Sequence, residues 1–252
     1  MKPTEADALA NRLEHRPPEE ILAWAADRFA PAIAFGTGFG REGCVLIDII
    51  GRAKLPVRLF TLDTGLFFEE TYALWRTLEA RYDITIEAIK PELTLDEQQR
   101  AYGDELWQRD PDLCCQLRKV VPLQRVLGSL DAWISAIRRS QTEIRRNARV
   151  VELEPRFGRV KINPLVRWSN ADIERYIAEH DVPVNALHEQ GYPSIGCWPC
   201  TSRVLAGEDP RAGRWRGRQK TECGLHFAPA SPTTHHHDVD EPLVADGTGG
   251  IS

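Results

Sequence analysis

Apolar positions at the start of the chain recur at helical spacing. Leu9 and Leu13, then Ile21, Leu22 and Phe29, predict helix over 5–30, divided by Pro17-Pro18 into two short segments. A short apolar run from Pro31 to Phe35 follows, then the Gly-rich stretch Gly36-Thr-Gly-Phe-Gly-Arg-Glu-Gly43. Cys44 to Ile50 reads as an apolar helix, and Val57 to Leu62, β-branched and aromatic, as a strand closed by Asp63-Thr64-Gly65. Phe67 to Tyr82 is helical in pattern and Ile84 to Ile89 alternates as a strand. The succession strand, loop, helix, strand, helix, strand is that of a parallel sheet with crossover helices.

Further on, 94–107 and 112–127 are predicted helices, and Ala132 to Ile137 a strand. Val150 to Leu153 and Val160 to Leu165 form a hairpin around Arg156-Phe-Gly158. Ser169 caps a helix running to about Glu179. After Val182 the periodicity fades, and 191–226 are rich in Gly, Pro, Arg and Cys. This divides the chain into a main domain, 1–205, a flexible catalytic segment, 206–227, and a tail, 228–252, whose polar composition predicts disorder.

Composition changes the picture in two ways. A formal net charge of −5 over 252 residues counts against a general nucleic-acid binder, while leaving room for a local anion pocket. The N-terminus has no apolar core resembling a secretory signal, and no run of about 18 apolar residues would span a membrane. The expected setting is the cytoplasm, where thiols stay reduced, so six cysteines need a purpose other than disulfides.

Five segments carry candidate chemistry. The Gly-rich turn, with Thr37, Gly38 and Gly40, opens a helix beyond a strand, where main-chain N–H groups can face a phosphate; its spacing is not that of a Walker loop. The same glycines would also suit a turn that is merely tight. Leu62 and Asp63 end the second strand, where they can cap the next helix or face a nucleotide. Arg138-Arg139-Ser140-Gln141, with Arg145 and Arg146 behind, places guanidinium forks at a ligand-binding rim. Cys114-Cys115 and Cys197-Trp-Pro-Cys200 offer four soft ligands for zinc or an iron–sulfur cluster. Adjacent helical residues diverge by ~100°, which suits a cubane's separate irons better than one tetrahedral zinc. Finally, Lys220-Thr-Glu-Cys223-Gly-Leu-His226 puts a thiol beside two groups that would favour its nucleophilic form, unless it is simply a surface thiol on a frayed tail.

These segments together resemble the assimilatory sulfonucleotide reductases, which reduce adenylyl sulfate or its 3′-phosphorylated form. The resemblance rests on Leu62 to Tyr72, Cys114-Cys115-Gln-Leu-Arg-Lys119, Arg138 to Gln141, Gly191 to Thr201, Gly207 to Trp215 and Lys220 to His226, in the family's order. It implies an adenine-nucleotide α-hydrolase-like α/β fold, doubly wound and mostly parallel, with a modified pyrophosphate loop. It implies a [4Fe–4S] cluster on Cys114, Cys115, Cys197 and Cys200, and places the chain with the adenylyl sulfate group, since members with both cysteine pairs mostly use that substrate. Lys119 matches the lysine between cluster and sulfate; Arg145, Arg211 and Arg214 match substrate-binding arginines, with Arg146 one residue from exchanging with Arg145. The loop departs from the family in having glycines where serines are usual.

The expected reaction is attack by Cys223 on the sulfur of adenylyl sulfate, release of AMP, and resolution of the S-sulfonated cysteine by thioredoxin or glutaredoxin. His226 joins the substrate-binding set. The expected partners are adenylyl sulfate and that dithiol protein, with no nucleic acid, no membrane, and a homo-oligomer left open. Three alternatives remain on sequence alone: a reductase of the 3′-phosphorylated substrate, a ligase or adenylyltransferase on the same fold, and a zinc module that binds nucleic acid.

Overall fold

The computed structural model describes residues 1–225. His226 and the segment 228–252 lie outside the described residues, as do the last residues of the expected catalytic segment.

Two helices, α1 (Pro3–Leu13) and α2 (Pro18–Phe29), precede the sheet, each entered through the first-turn proline that lacks the N–H a helix start leaves unused. The strands are β1 (Ile33–Thr37), β2 (Arg58–Leu62), β3 (Ile86–Ile89), β4 (Ala132–Ile134), β5 (Val151–Glu154) and β6 (Arg159–Ile162). They lie in the order β3-β2-β1-β4-β6-β5; all neighbours are parallel except the β5–β6 hairpin. The central strands read as nearly continuous apolar runs because helices cover both faces. Between β1 and β2 runs α3 (Arg41–Arg52), and between β2 and β3 α4 (Glu69–Tyr82). The main core gathers Phe35, Leu46, Ile47, Leu78 and Ile134; a second cluster around Phe60, Leu123, Leu127 and Trp133 fills the opposite face.

This doubly wound α/β sheet reverses its direction of growth between β1 and β4. Ligands of such sheets bind beyond the strand C-termini at that crevice. The loops that leave β1 and β4 are therefore the ones placed to meet a ligand.

The remaining helices are α5 (Leu95–Tyr102), α6 (Leu106–Arg109), α7 (Pro111–Cys115), α8 (Val121–Leu127) and α9 (Asn170–His180). Both α5 and α9 open with reciprocal capping boxes, Thr94 with Glu97 and Ser169 with Asp172. Three expectations need correction. The helix expected over 94–107 is two, α5 ending at Tyr102 and α6 starting at Leu106, because Gly103, with a φ of +79°, ends the first. The strand expected over 132–137 stops at Ile134, because the chain turns away there to form the rim of the crevice. The helix expected over 112–127 is broken by a π-helical turn, Gln116–Val120, which lies between Cys115 and α8. Such turns are rare and tend to occur at functional sites.

Candidate active site

A cleft of about 410 Å³ opens at the switch point, lined by Thr37, Gly38 and Gly40 after β1, by Ala136 to Arg138 after β4, and by the chain around Arg211 and Arg214. That volume is within the range of small-molecule sites. Gly40 is the N-cap of α3, so the first turn of a twelve-residue helix faces the cleft. No protein atom lies within 4 Å of where a Cβ on Gly38 would sit; a side chain there would fill the cleft itself. The Thr37 hydroxyl accepts the Phe39 N–H at 3.0 Å and so pins the turn.

What anchors this loop is Phe39, which the sequence shows only as one residue in a glycine run. Its φ of +57° is left-handed, and its ring is buried, stacked on Trp75 with centroids 5.5 Å apart and edge-on to Phe67. Burial of that ring offsets the cost of a non-glycine residue in this conformation.

The basic run after β4 does not act as one anion site. Arg138 is buried and spends its donors on Glu42 (2.8 Å), Ser140, the Trp168 carbonyl and Asn170. Arg139 is engaged by Glu14 and the Ala148 carbonyl. Arg146 is exposed and pairs with Glu143. Arg145 is also buried and lines the cleft, and of the four it is the one whose buried Nε has no partner. Arg214 is similar: its Nε is buried without a partner, and one Nη makes only a 3.4 Å contact with the Ile195 carbonyl. Buried donors without partners are rare, and these two lie at the edge of the same cleft.

Leu62 and Asp63 do not line this cleft. Asp63 accepts the Gly65 N–H at 3.0 Å and the Tyr72 hydroxyl at 2.8 Å, which gives it a local structural task. The half-buried Leu62 packs on the second apolar cluster.

Beside the cleft lies a small enclosed cavity lined by Cys114, Cys115, Cys197 and Cys200 together with Leu66, Trp107, Pro111, Arg118 and Lys119. All four thiols are free. Asp110 caps α7 by accepting the Asp112 and Leu113 N–H groups, and this sets the turn that carries the cysteine pair. On the opposite wall the Trp198 N–H donates to the Leu66 carbonyl at 2.8 Å and fixes the Cys197–Cys200 turn. Cys197 Sγ is 3.3 Å from the Thr64 hydroxyl. Arg118 bridges the walls by donating to the Thr64 carbonyl (2.7 Å) and to Gln98 (3.1 Å). Neither Thr64 nor Arg118 is singled out by the sequence as part of this site; the signal is that each falls within a segment that carries the resemblance, Leu62 to Tyr72 and Cys114 to Lys119.

The donor set fits an iron–sulfur cluster. Four soft sulfurs line one small cavity, with no carboxylate or imidazole among its lining residues. Among the described residues, no group of three or more His, Cys, Asp or Glu side chains is arranged to hold a single metal ion. Burial pushes Cys114 up to about 12 and Cys115 up to about 11, whereas Cys197 is lowered because Lys119 and the Thr64 hydroxyl more than offset its burial. Burial also works against the charge on Lys119, but the Cys197, Cys223 and Cys115 sulfurs facing it hold the ammonium well above the ordinary lysine range.

Cys223 completes the arrangement. It is half-buried and close enough to interact electrostatically with Lys119, Cys115 and Arg211. Cys223 thus lies within electrostatic reach of an ammonium that lines the cysteine cavity and of a guanidinium that lines the cleft. Cys44 lies apart, fully buried in α3 and pushed up to about 12 by burial, as suits a small apolar core residue.

Among the described residues no helix is long and apolar enough to cross a membrane. Residues 32–203 match the phosphoadenosine phosphosulfate reductase domain family. An adenosine 5′-phosphosulfate reductase of Geobacillus thermodenitrificans is 46% identical over 82% of this chain and 89% of its own length. Bacillus subtilis adenosine 5′-phosphosulfate reductase 2 is also 46% identical, over 82% of this chain and 88% of its own. The crystal structure of a phosphoadenylyl-sulfate reductase from Candida auris, in complex with phosphate, superposes with a TM-score of 0.72 at 36% identity, covering 81% of this chain and 98% of that one. The FMN adenylyltransferase of Candida glabrata shares the fold alone, with a TM-score of 0.52 at 15% identity over 88% of this chain and 78% of its own. With the family model spanning most of the sheet and both cysteine pairs, and relatives this similar along most of its length, the chain belongs to the phosphoadenosine phosphosulfate reductase domain family.

Proposed function

We propose that the chain reduces adenylyl sulfate to sulfite and AMP in the assimilation of sulfate. The observation that carries this reading is that Cys223 lies within electrostatic reach both of Lys119, which lines the four-cysteine cavity, and of Arg211, which lines the cleft. The curated relatives at 46% identity bear the matching activity in their names.

The nucleotide enters the cleft with its phosphate toward the Gly38–Gly40 turn and the start of α3. Arg145 and Arg214 bring their free Nε donors to the phosphosulfate, and Lys119 and Arg211 add charge from either side. The Cys223 thiolate attacks the sulfur. A Cys223 S–S bond forms, the sulfur–oxygen bond to the phosphate breaks, and AMP leaves with that electron pair, its added charge stabilised by the arginines. Cys223 then carries a sulfonate. The two electrons come from a dithiol protein of the thioredoxin or glutaredoxin class. One of its thiolates attacks Cys223 Sγ, sulfite departs, and the second thiol resolves the mixed disulfide. For this the 206–227 segment moves off the body as the unit carrying the nucleophile.

Cys114, Cys115, Cys197 and Cys200 hold a [4Fe–4S] cluster in this reading, and His226 joins the substrate contacts. Such a cluster would supply a compact charge to the cavity that Lys119 also lines. Four sulfur donors around one cavity support this reading. The site belongs to the cytoplasm, where these thiols stay reduced.

The test is intact-mass and peptide mass spectrometry after mixing the protein with adenylyl sulfate without reductant. A sulfonate adduct on Cys223, lost on adding a dithiol, is expected; nucleotide consumption with no adduct there would refute the mechanism. A second substrate is favoured by one finding, the 36% identity to a structure described as phosphoadenylyl-sulfate reductase. Parallel turnover of both nucleotides decides between them.

A further inference from the structure

The stretch that carries Cys223 is fastened differently from the chain before it. Up to Arg218 the segment is held by main-chain bonds: Ser202 N–H to the Gly213 carbonyl (2.9 Å), Trp215 N–H to the Cys200 carbonyl (3.0 Å), and the Thr201–Arg214 bridge. Among the described residues, no main-chain-to-main-chain hydrogen bond reaches past Arg218. From there to Leu225 the attachments run through side chains. Lys220 pairs with the exposed Asp112, and the exposed Arg156 donates to the Gly224 carbonyl at 2.7 Å. Leu225 rests half-buried on the second apolar cluster.

One tether differs in kind. The side chain of Glu222, next to Cys223, is 1% exposed. Its carboxylate accepts from Arg145 Nη2 at 2.8 Å, lies 3.6 Å from Arg211 Nη2, and accepts the Thr142 hydroxyl at 3.3 Å. Arg211 also donates to the Thr221 carbonyl at 2.8 Å. Both guanidinium groups line the cleft. The carboxylate thus neutralises, from behind, the arginines that face a ligand in front. An ion pair buried this well is costly to break from one side, because the remaining partner is left charged and dry.

We propose that Glu222 is the latch of the closed site, a positioning residue that ties the Cys223 strand to Arg145 and Arg211, so that the nucleophile and the anion-binding arginines are held as one unit. This rests on the reading of Cys223 as the nucleophile only for its kinetic consequence; the latch itself follows from the contacts.

The test uses Glu222→Gln and Glu222→Asp in the full-length, cluster-loaded protein, with circular dichroism as the folding control. Without substrate, alkylation of Cys223 by iodoacetamide, read on its peptide by mass spectrometry, is expected to rise roughly tenfold or more in Glu222→Gln and less in Glu222→Asp, which keeps the charge. In turnover, kcat falls in the same order while KM changes little. An unchanged alkylation rate in a folded Glu222→Gln protein overturns the latch. So does a lowered KM with unchanged alkylation, which would make Glu222 a mere competitor of the substrate. If alkylation accelerates as expected but the unaltered protein forms no sulfonate adduct, the proposed function fails and the latch stands.

Discussion

Gly196→Ala isolates the contribution of Arg214 without removing it. The φ of Gly196 lies outside the left-handed region, so alanine is at ease there and the substitution acts through space alone. An ideal Cβ on residue 196 would lie 2.6 Å from Arg214 Cζ, where ordinary contact begins at 3.4 Å. The guanidinium must therefore retreat by about 1 Å, or the Cys197 turn must yield. The guanidinium is the softer of the two, since its Nε has no partner and its 3.4 Å contact with the Ile195 carbonyl is weak. A charge-assisted hydrogen bond contributes about 1.5–3 kcal/mol, and a misplacement of about 1 Å at a reacting centre can cost ~100-fold. We expect kcat/KM for adenylyl sulfate to fall roughly ten- to a hundred-fold, at about 1.4 kcal/mol per decade. The assay is sulfite release with a dithiol reductant, on protein matched for visible absorbance so that the cysteine cavity is shown to be intact. A double-mutant cycle completes it: in an Arg214→Ala background the added methyl should cost almost nothing. An undiminished kcat/KM in Gly196→Ala, or a full second loss on top of Arg214→Ala, would refute the assignment of Arg214 to the substrate.

Two further outcomes follow from the same geometry. Cys223→Ser removes the proposed nucleophile but none of the four thiols around the cavity, so turnover should vanish while the visible spectrum and the iron and acid-labile sulfide content of the proposed cluster stay unchanged; a variant that loses them would make Cys223 a ligand of that cluster instead. Burial lowers His188 below its ordinary value of 6.5, and its Nε2 is buried without a partner. The unfolded chain then binds a proton that the fold refuses, so stability is lost as pH falls through 6.5 and levels off below the folded value. Urea midpoints measured from pH 7.5 to 5.5 should show this slope, and His188→Gln should flatten it; equal slopes in the two proteins would exclude His188 as its source.

The sheet was legible because its causes are local. Val57 to Leu62 and Ile84 to Ile89 are β-branched runs bounded by turn residues, Pro17-Pro18 can only divide a helix, and Ser169 with Asp172 spells a cap. The cysteine pairs announced themselves by spacing, and the structure brings them to one cavity. What the sequence hid depends on partners far along the chain. Arg138 and Arg145 look alike in a basic run, and what separates them is that Glu42 and Asn170 engage one while the other pairs with Glu222 and keeps an unpartnered Nε. Asp63, at a strand end, reads as either a cap or a ligand contact, and its bond from the Tyr72 hydroxyl nine residues on does not show in the sequence. Phe39 reads as an interruption in a glycine loop until Trp75 is stacked against it. Glu222 gives the sharpest case. Beside a candidate nucleophile a carboxylate looks like a charge to be kept away. With Arg145 drawn from 77 residues upstream and Arg211 from within its own segment, it becomes the group that holds that nucleophile in place. Sequence periodicity reports which face of an element is buried; it carries no information on which buried charge neutralises which. That pairing is fixed by topology, and it separates a chain that folds around a cleft from one that positions a thiol in it.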